Sequence, residues 1–339
     1  MRVILILITF IFCTAKSFGQ DVQFSQFYAA PLYLNPAFAG SAEMTRVGLN
    51  FRNQWPGLDQ TFVAYSAYLD HFIEGKNSGV GVIINGSYET LSNLANNEVG
   101  VMYAYRVRLG GNTYLRLGAQ GSFATRSAAF DDVILSTQLD IDRGIVRPGN
   151  GIASLEDRTR SFVDLHTGIL FYSESVWLGI AGHHINMPDI SYLDGGADPL
   201  PIRYSAHGGV KLDLPSGFIN DFVNNTRQER SVSFAFNYRR QGMFDQLDLG
   251  TEIFFDPIVI GLWYRGIPTQ IGLPNNEALI ALVGFSFENG IDVGYSYDFT
   301  LSALGLRNSG GAHEISLRYN FVNQLWRPEN RSRMPIFQY

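Results

Sequence analysis

The sequence predicts an all-β fold, a transmembrane antiparallel up-and-down β-barrel of about fourteen strands, and three observations carry that prediction. Apolar and polar residues alternate at period two through most of the chain after residue 44. The alternating segments are about as long as the roughly 9–11 residues a tilted strand needs to cross a bilayer, and longer than the about 5–6 of a globular strand. The connections between them run short and long in turn, as barrel connections do on the two sides of an outer membrane.

Residues 1–19 read as a cleavable signal peptide. Arg2 supplies the positive amino end, Val3 to Cys13 form an apolar run too short to span as a helix, and Ser17 and Gly19 are small residues just before a cut at Gln20. Bulky Ile11 and Phe12 speak against a lipid anchor on Cys13, which is the only cysteine, so the processed chain is no disulfide scaffold. No later run of about 18 apolar residues exists, which leaves a closed barrel as the structure that satisfies its backbone within lipid. Residues 20–43 form an aromatic leader. Phe24, Tyr28, Leu32 and Phe38 are expected to pack as a plug into the periplasmic mouth, with Asn35-Pro36 forcing an extended or turned backbone and Gly40 free to take a positive φ.

The barrel is assigned to 44–322. Segment 45–53 sets Val47, Leu49 and Phe51 against Arg46, Asn50 and Arg52; segment 98–108 sets Val99, Val101, Tyr103 and Tyr105 against Glu98, Arg106 and Arg108; segment 114–123 sets Leu115 and Leu117 against Arg116, Gln120 and Ser122. The same pattern recurs at 231–239, 291–299 and 314–321, and further strands are expected at 61–71, 79–88, 162–172, 176–186, 202–214, 244–255, 257–266 and 277–287. Connections at Gly110–Asn112, Ser173–Ser175, Asp256–Pro257 and Asn289–Gly290 are tight, whereas 124–161, 188–201, 267–276 and 301–312 are long. That parity predicts an even strand count with both termini in the periplasm. One pair breaks it: 240–243 is short, and 216–229, with Phe218, Ile219, Phe222 and Val223, is long enough for a short periplasmic helix. A tail, 323–339, follows the last strand.

Charged residues make up only 17 % of the chain and the net charge is −6, so no basic face suggests nucleic acid as a partner. In lipid an arginine at mid-depth costs roughly 2–4 kcal/mol. The polar faces are therefore expected to line the lumen: Arg46, Arg52, Glu98, Arg106, Arg108, Arg116, His166, Arg239, Asp248, Glu252, Arg265, Asp292, Asp298, Glu314 and Arg318. Both signs share the same faces, which favours a self-neutralising network over a pore or a peptide-binding interior. His166 and His207 are expected in a wet lumen. Adjacent His183 and His184 should fall on opposite faces of a strand, so no metal site is expected, and no cofactor. There is no G-x-S-x-G, and Asp131-Asp132 and Asp140/Asp142 read as a solvated acidic loop; a non-enzyme is expected.

The most specific stretch is Gln23-Phe24-Ser25-Gln26-Phe27-Tyr28 followed by Pro31-Leu32-Tyr33-Leu34-Asn35-Pro36-Ala37-Phe38-Ala39-Gly40. With Phe51-Arg52-Asn53-Gln54-Trp55-Pro56-Gly57, Phe130-Asp131-Asp132, Leu135-Ser136-Thr137-Gln138, Gly261-Leu262-Trp263-Tyr264-Arg265, Gly294-Tyr295-Ser296-Tyr297-Asp298 and His313-Glu314-Ile315-Ser316-Leu317, the chain resembles the PorP/SprF family of type IX secretion membrane proteins over nearly its whole processed length. The resemblance implies an integral outer-membrane protein whose partners are lipid, the secretion machinery with its periplasmic ring proteins, and a secreted cargo held through an adhesin C-terminal domain. An SprF-like role, dedicated to export and surface attachment of one large adhesin, is preferred because such paralogues are numerous in one genome. A PorP-like core component and a diffusion porin are the alternatives within the fold, and a soluble secreted β-sandwich is the alternative outside it. Candidate partner-binding residues are Phe24, Gln26, Tyr28, Asn35 and Pro36 in the leader and Phe130, Asp131, Asp132 and Gln138 in the long loop.

Overall fold

The computed structural model describes residues 21–321 apart from 60, 91–92, 129–138, 141–144, 147–157, 193–196, 215–229, 268–277, 288 and 302–304. Fourteen strands close into one antiparallel barrel: β1 Arg46–Gln54, β2 Phe62–Ile73, β3 Ser78–Glu89, β4 Leu94–Gly110, β5 Thr113–Ala128, β6 Arg158–Tyr172, β7 Val176–His183, β8 Arg203–Asp213, β9 Arg230–Gln241, β10 Phe244–Phe255, β11 Ile258–Arg265, β12 Ala278–Ser286, β13 Ile291–Thr300 and β14 Ala312–Asn320. Each strand pairs with its sequence neighbours, and β1 closes on β14 from Arg46 opposite Asn320 to Gln54 opposite Ala312. Closure leaves no unpaired edge, the condition for a sheet in lipid.

The alternation sorts the two faces as expected. Leu49, Phe51, Val101, Leu117, Leu249, Leu262, Ile315 and Leu317 are exposed on the outside, while Arg52, Met102, Arg116, Asp248, Arg265 and Glu314 on the same strands are buried inside. β4, β5 and β6 are longer than their apolar patterns. The ladder continues to Ala128 opposite Arg158, past the stretch Ala124 to Ser127 where outward apolar residues give out. Backbone pairing needs no apolar face, so the strand runs on to Ala128 past the expected loop start at 124. Within it Leu139–Asp140 pairs with Ile145–Val146. β7 is shorter than expected: it stops at His183, because His184 and Met187 take positive φ (58° and 45°) and turn the chain off the ladder.

All connections of one parity lie at one rim, the turn rim, with Arg46 and Asn320; the others lie at the loop rim, including the short turn Gly242–Met243. Segments 1–20, 215–229 and 322–339, on which the signal peptide, the periplasmic helix and the tail were expected, lie outside the described residues.

The core is the leader. Residues 24–39 are almost wholly buried in the lumen, with Leu32 and Ala37 at 0 % exposure. A single helical turn, Pro31–Leu34, and a 3₁₀ turn, Pro36–Phe38, fold it back on itself, and Asn35 joins them in extended backbone. Phe27 packs edge-on against Trp263 at 5.0 Å, and Phe38 meets Trp177 at 6.3 Å. The wall makes room with glycines: a Cβ on Gly168 would fall 1.9 Å from Asn35 Oδ1, and one on Gly118 would fall 2.3 Å from the Ala37 nitrogen.

Candidate functional site

The candidate site is the plugged lumen. Its loop-side belt is built where inward positions of β1, β9, β10, β11, β13 and β14 converge on Ser25. Arg52 bonds Asp298 at 2.9 Å and Glu314 at 3.3 Å; Arg265 bonds Asp298 at 3.0 Å and Asp248 at 2.9 Å; Arg239 bonds Asp248 at 2.9 Å. Three guanidiniums thus face three carboxylates. The leader completes the set. The Ser25 and Gln26 backbone N–H groups donate to Glu314 at 2.6 and 3.0 Å, the Ser25 hydroxyl donates to Asp298 and accepts from Arg265 at 3.0 Å, and Ser316 donates to Gln26 Oε1 at 2.6 Å. Low dielectric makes such pairs strong and unpaired members costly.

On the turn side Arg46 grips Asp70 through two 2.9 Å bonds, Asp70 accepts from the Gly40 N–H at 2.7 Å, and Arg318 pairs with Asp292 at 2.8 Å. Arg106 pairs with Glu43, and Arg116 donates to the carbonyls of Ala37 (2.9 Å) and Ala39. Asn35 is the deepest polar residue of the plug: its amide donates to the carbonyls of Ile169 and Ile180, both at 3.1 Å, and its oxygen accepts from the Ala37 N–H at 2.8 Å. Asp21 lies at the loop rim, 2.7 Å from His184 and 3.0 Å from Arg203, with its N–H on Gln241 at 3.0 Å.

Most of the residues expected in the lumen lie on the inward face, including Glu98, His166 and Glu252, whose carboxylate accepts from Trp263 Nε1 at 3.1 Å. Arg108 does not: β4 has passed the turn rim there, and Arg108 is exposed, donating to the Gly111 carbonyl at 2.9 Å. His207 is not in a wet lumen; it is fully buried between Phe38 and Trp177. His183 and His184 are not on opposite faces. The positive φ at His184 returns its ring inward, so both are buried, 6.4 Å apart.

The leader also departs from its expected place. It fills the lumen from rim to rim rather than the periplasmic mouth alone. The strand ends Arg46 and Asn320 lie together at the turn rim, while Asp21 lies at the opposite rim. Burial drives this: the aromatics need cover, and Ser25 and Gln26 find partners only deep in the barrel. Phe24, Gln26, Tyr28, Asn35 and Pro36 are accordingly buried contacts of the chain with itself. Phe130, Asp131, Asp132 and Gln138 lie outside the described residues. Sequence reading missed Asp21, Ser25, Asp70, Asp164 and Arg203; the inward parity of Asp70, Asp164 and Arg203 was the available signal.

A closed fourteen-strand barrel with an apolar exterior and a self-neutralised, plugged interior defines an integral outer-membrane protein. The chain belongs to the PorP/SprF family of type IX secretion system membrane proteins, whose family model matches residues 16–319. It is thus an outer-membrane component of that secretion system. A search of curated proteins finds no match. Among solved structures the chain is similar to Omp33 of Acinetobacter baumannii (8 % identity, TM-score 0.41, covering 82 % of this chain and 98 % of that one). It is also similar to a Pseudomonas aeruginosa FadL homologue (12 %, 0.42, 85 % and 93 %) and to the CymD monoaromatic hydrocarbon channel (12 %, 0.45, 87 % and 93 %).

Proposed function

We propose that this protein is a non-enzymatic, SprF-like partner for the export and surface attachment of a large secreted adhesin-type protein, and that it holds its cargo at the loop rim rather than inside the barrel. The observation that carries this reading is the occupied lumen. Among the described residues the belt charges Arg52, Arg239, Arg265, Asp248, Asp298 and Glu314 are paired with one another and with Ser25 and Gln26, so that belt offers no unmatched charge to an extended cargo segment, which opposes the diffusion-porin alternative. The long connections support a loop rim outside the cell and a turn rim in the periplasm. Long loops on rigid scaffolds carry binding function, so the loop 129–157 is the cargo contact. The machinery and its ring proteins are met at the turn rim, through 215–229 and the tail. The buried leader is withdrawn from that role.

The test is a pull-down from outer membranes using the intact protein and a variant lacking 129–157. The intact protein should recover a secreted adhesin through its C-terminal domain, and the variant should assemble and lose it. Equal recovery by both would remove the loop as the cargo contact. Recovery of ring proteins without cargo would favour the PorP-like core role, and recovery of neither, with open-pore conductance, would restore the porin alternative.

A further inference from the structure

A histidine-rich cluster lies in the wall between β4, β6 and the end of β7, beneath the loop rim. Asp164, His166 and His184 are 2 %, 3 % and 8 % exposed, and one ligand atom from each lies within 4.8 Å of the others. His184 Nδ1 is 2.5 Å from Asp164 Oδ2, His166 Nε2 is 3.7 Å from the same oxygen, and Glu98 Oε1 is 3.1 Å from His166 Nε2. These separations bracket the about 3.3 Å between neighbouring ligands of a tetrahedral zinc-class ion held at roughly 2.0 Å. The His184–Asp164 pair has to open to admit the ion, and Glu98, close to His166 but outside the 4.8 Å group, has to swing in to complete it.

The outer contacts fix which ring nitrogens are free. His183 Nε2 lies 3.3 Å from the Leu34 carbonyl, which can only accept, so that nitrogen carries the proton and His183 Nδ1 is an acceptor. His166 Nδ1, 3.1 Å away, must then be the donor. That turns His166 Nε2 toward two carboxylates, with neither of which it makes a directed hydrogen bond; the buried Asp164 Oδ1 makes none either. On the other side His184 Nε2 donates to Asp21 at 2.7 Å, leaving Nδ1 for a metal. Both rings are thus oriented from behind, one by a carboxylate and one by a second imidazole, as ligating histidines are.

We propose that Asp164, His166 and His184, with Glu98 as fourth ligand, bind one divalent transition-metal ion of the zinc class. The ion bridges β4, β6 and the end of β7, and through the Asp21–His184 bond it latches the amino end of the plug at the loop rim. Two carboxylates and two neutral imidazoles leave the site uncharged when filled. The ligand set is borderline-soft N/O, which suits zinc over calcium or magnesium.

Protein extracted from outer membranes in detergent, stripped with EDTA and dialysed against Zn²⁺ or Co²⁺, should retain one ion per chain and show the visible absorption of tetrahedral cobalt. The double variant His166→Ala/His184→Ala should retain none, and His313→Gln, on the outer face, should match the wild type. Asp21→Asn, which leaves the wall intact, should weaken affinity roughly 10–100-fold. Wild-type barrel that retains no stoichiometric ion overturns the proposal, as does equal retention by an assembled double variant. If the double variant fails to assemble, Asp21→Asn decides: unchanged affinity overturns the site as drawn, and the expected loss upholds it.

Discussion

Gly168→Ala should undock the plug while leaving the barrel closed. The new Cβ would sit 1.9 Å from Asn35 Oδ1 and 2.7 Å from its Cγ, and β6 is paired on both sides and cannot retreat. Asn35 must therefore leave the wall, giving up its bonds to Ile169 and Ile180. At about 0.5–1.5 kcal/mol per neutral bond, the loss is roughly 1–3 kcal/mol, or about 5- to 150-fold in the docking equilibrium. Two assays read it: single-barrel conductance in planar bilayers, which should rise from near zero to frequent openings, and protease protection of the leader, which should fall. Gly121→Ala is the control, since its Cβ would meet only Leu165 at 3.9 Å. In an Asn35→Ala background Gly168→Ala should cost far less, because the clash and the bonds are then already gone. Conductance and protection equal to wild type in Gly168→Ala would refute the account of how the plug is held.

Leu117→Arg and Val101→Arg, on the outer face at 45 % and 62 % exposure, should each cost roughly 2–4 kcal/mol near the midplane and reduce assembled barrel on heat-modifiability gels; Ser122→Arg, inward beside Gln120, should be the lesser defect, and equal loss would overturn the register. Asp298→Ala removes a shared partner of Arg52 and Arg265 and should destabilise the barrel by about 3 kcal/mol, the low end for a broken buried pair because each arginine keeps another carboxylate; an unchanged urea midpoint for unfolding would contradict the paired-belt reading. Cys13 is the single cysteine, so in a Cys13→Ser background Met243→Cys at the loop rim should react with an impermeant maleimide on intact cells and Lys76→Cys at the turn rim should not. The reverse pattern would invert the barrel.

The barrel was legible in the sequence because its physics is local. Lipid outside and polar contacts inside impose period two on every strand, so Leu117 and Arg116 declare their faces without any knowledge of their neighbours. The fourteen segments, the tight turns and the inward charges followed from that rule. It misled at Arg108, still paired but beyond the rim, at Ala124 to Ala128, where pairing outlasts the apolar pattern, and at His184, where one positive φ reverses a side chain.

What the sequence alone determined, then, is a closed barrel with a charged interior, a leader rich in aromatics that need burial, and the family those motifs mark. What only the tertiary structure decided is where the leader goes and what meets what inside. Ser25 and Glu314 are 289 residues apart, and no periodicity links them; their meeting depends on which strands close the barrel and how far the plug threads it. The histidine cluster is of the same kind. Asp21, Glu98, Asp164, His166 and His184 come from four separate stretches, and they share one site because closure of the sheet and the bend after His183 bring them there.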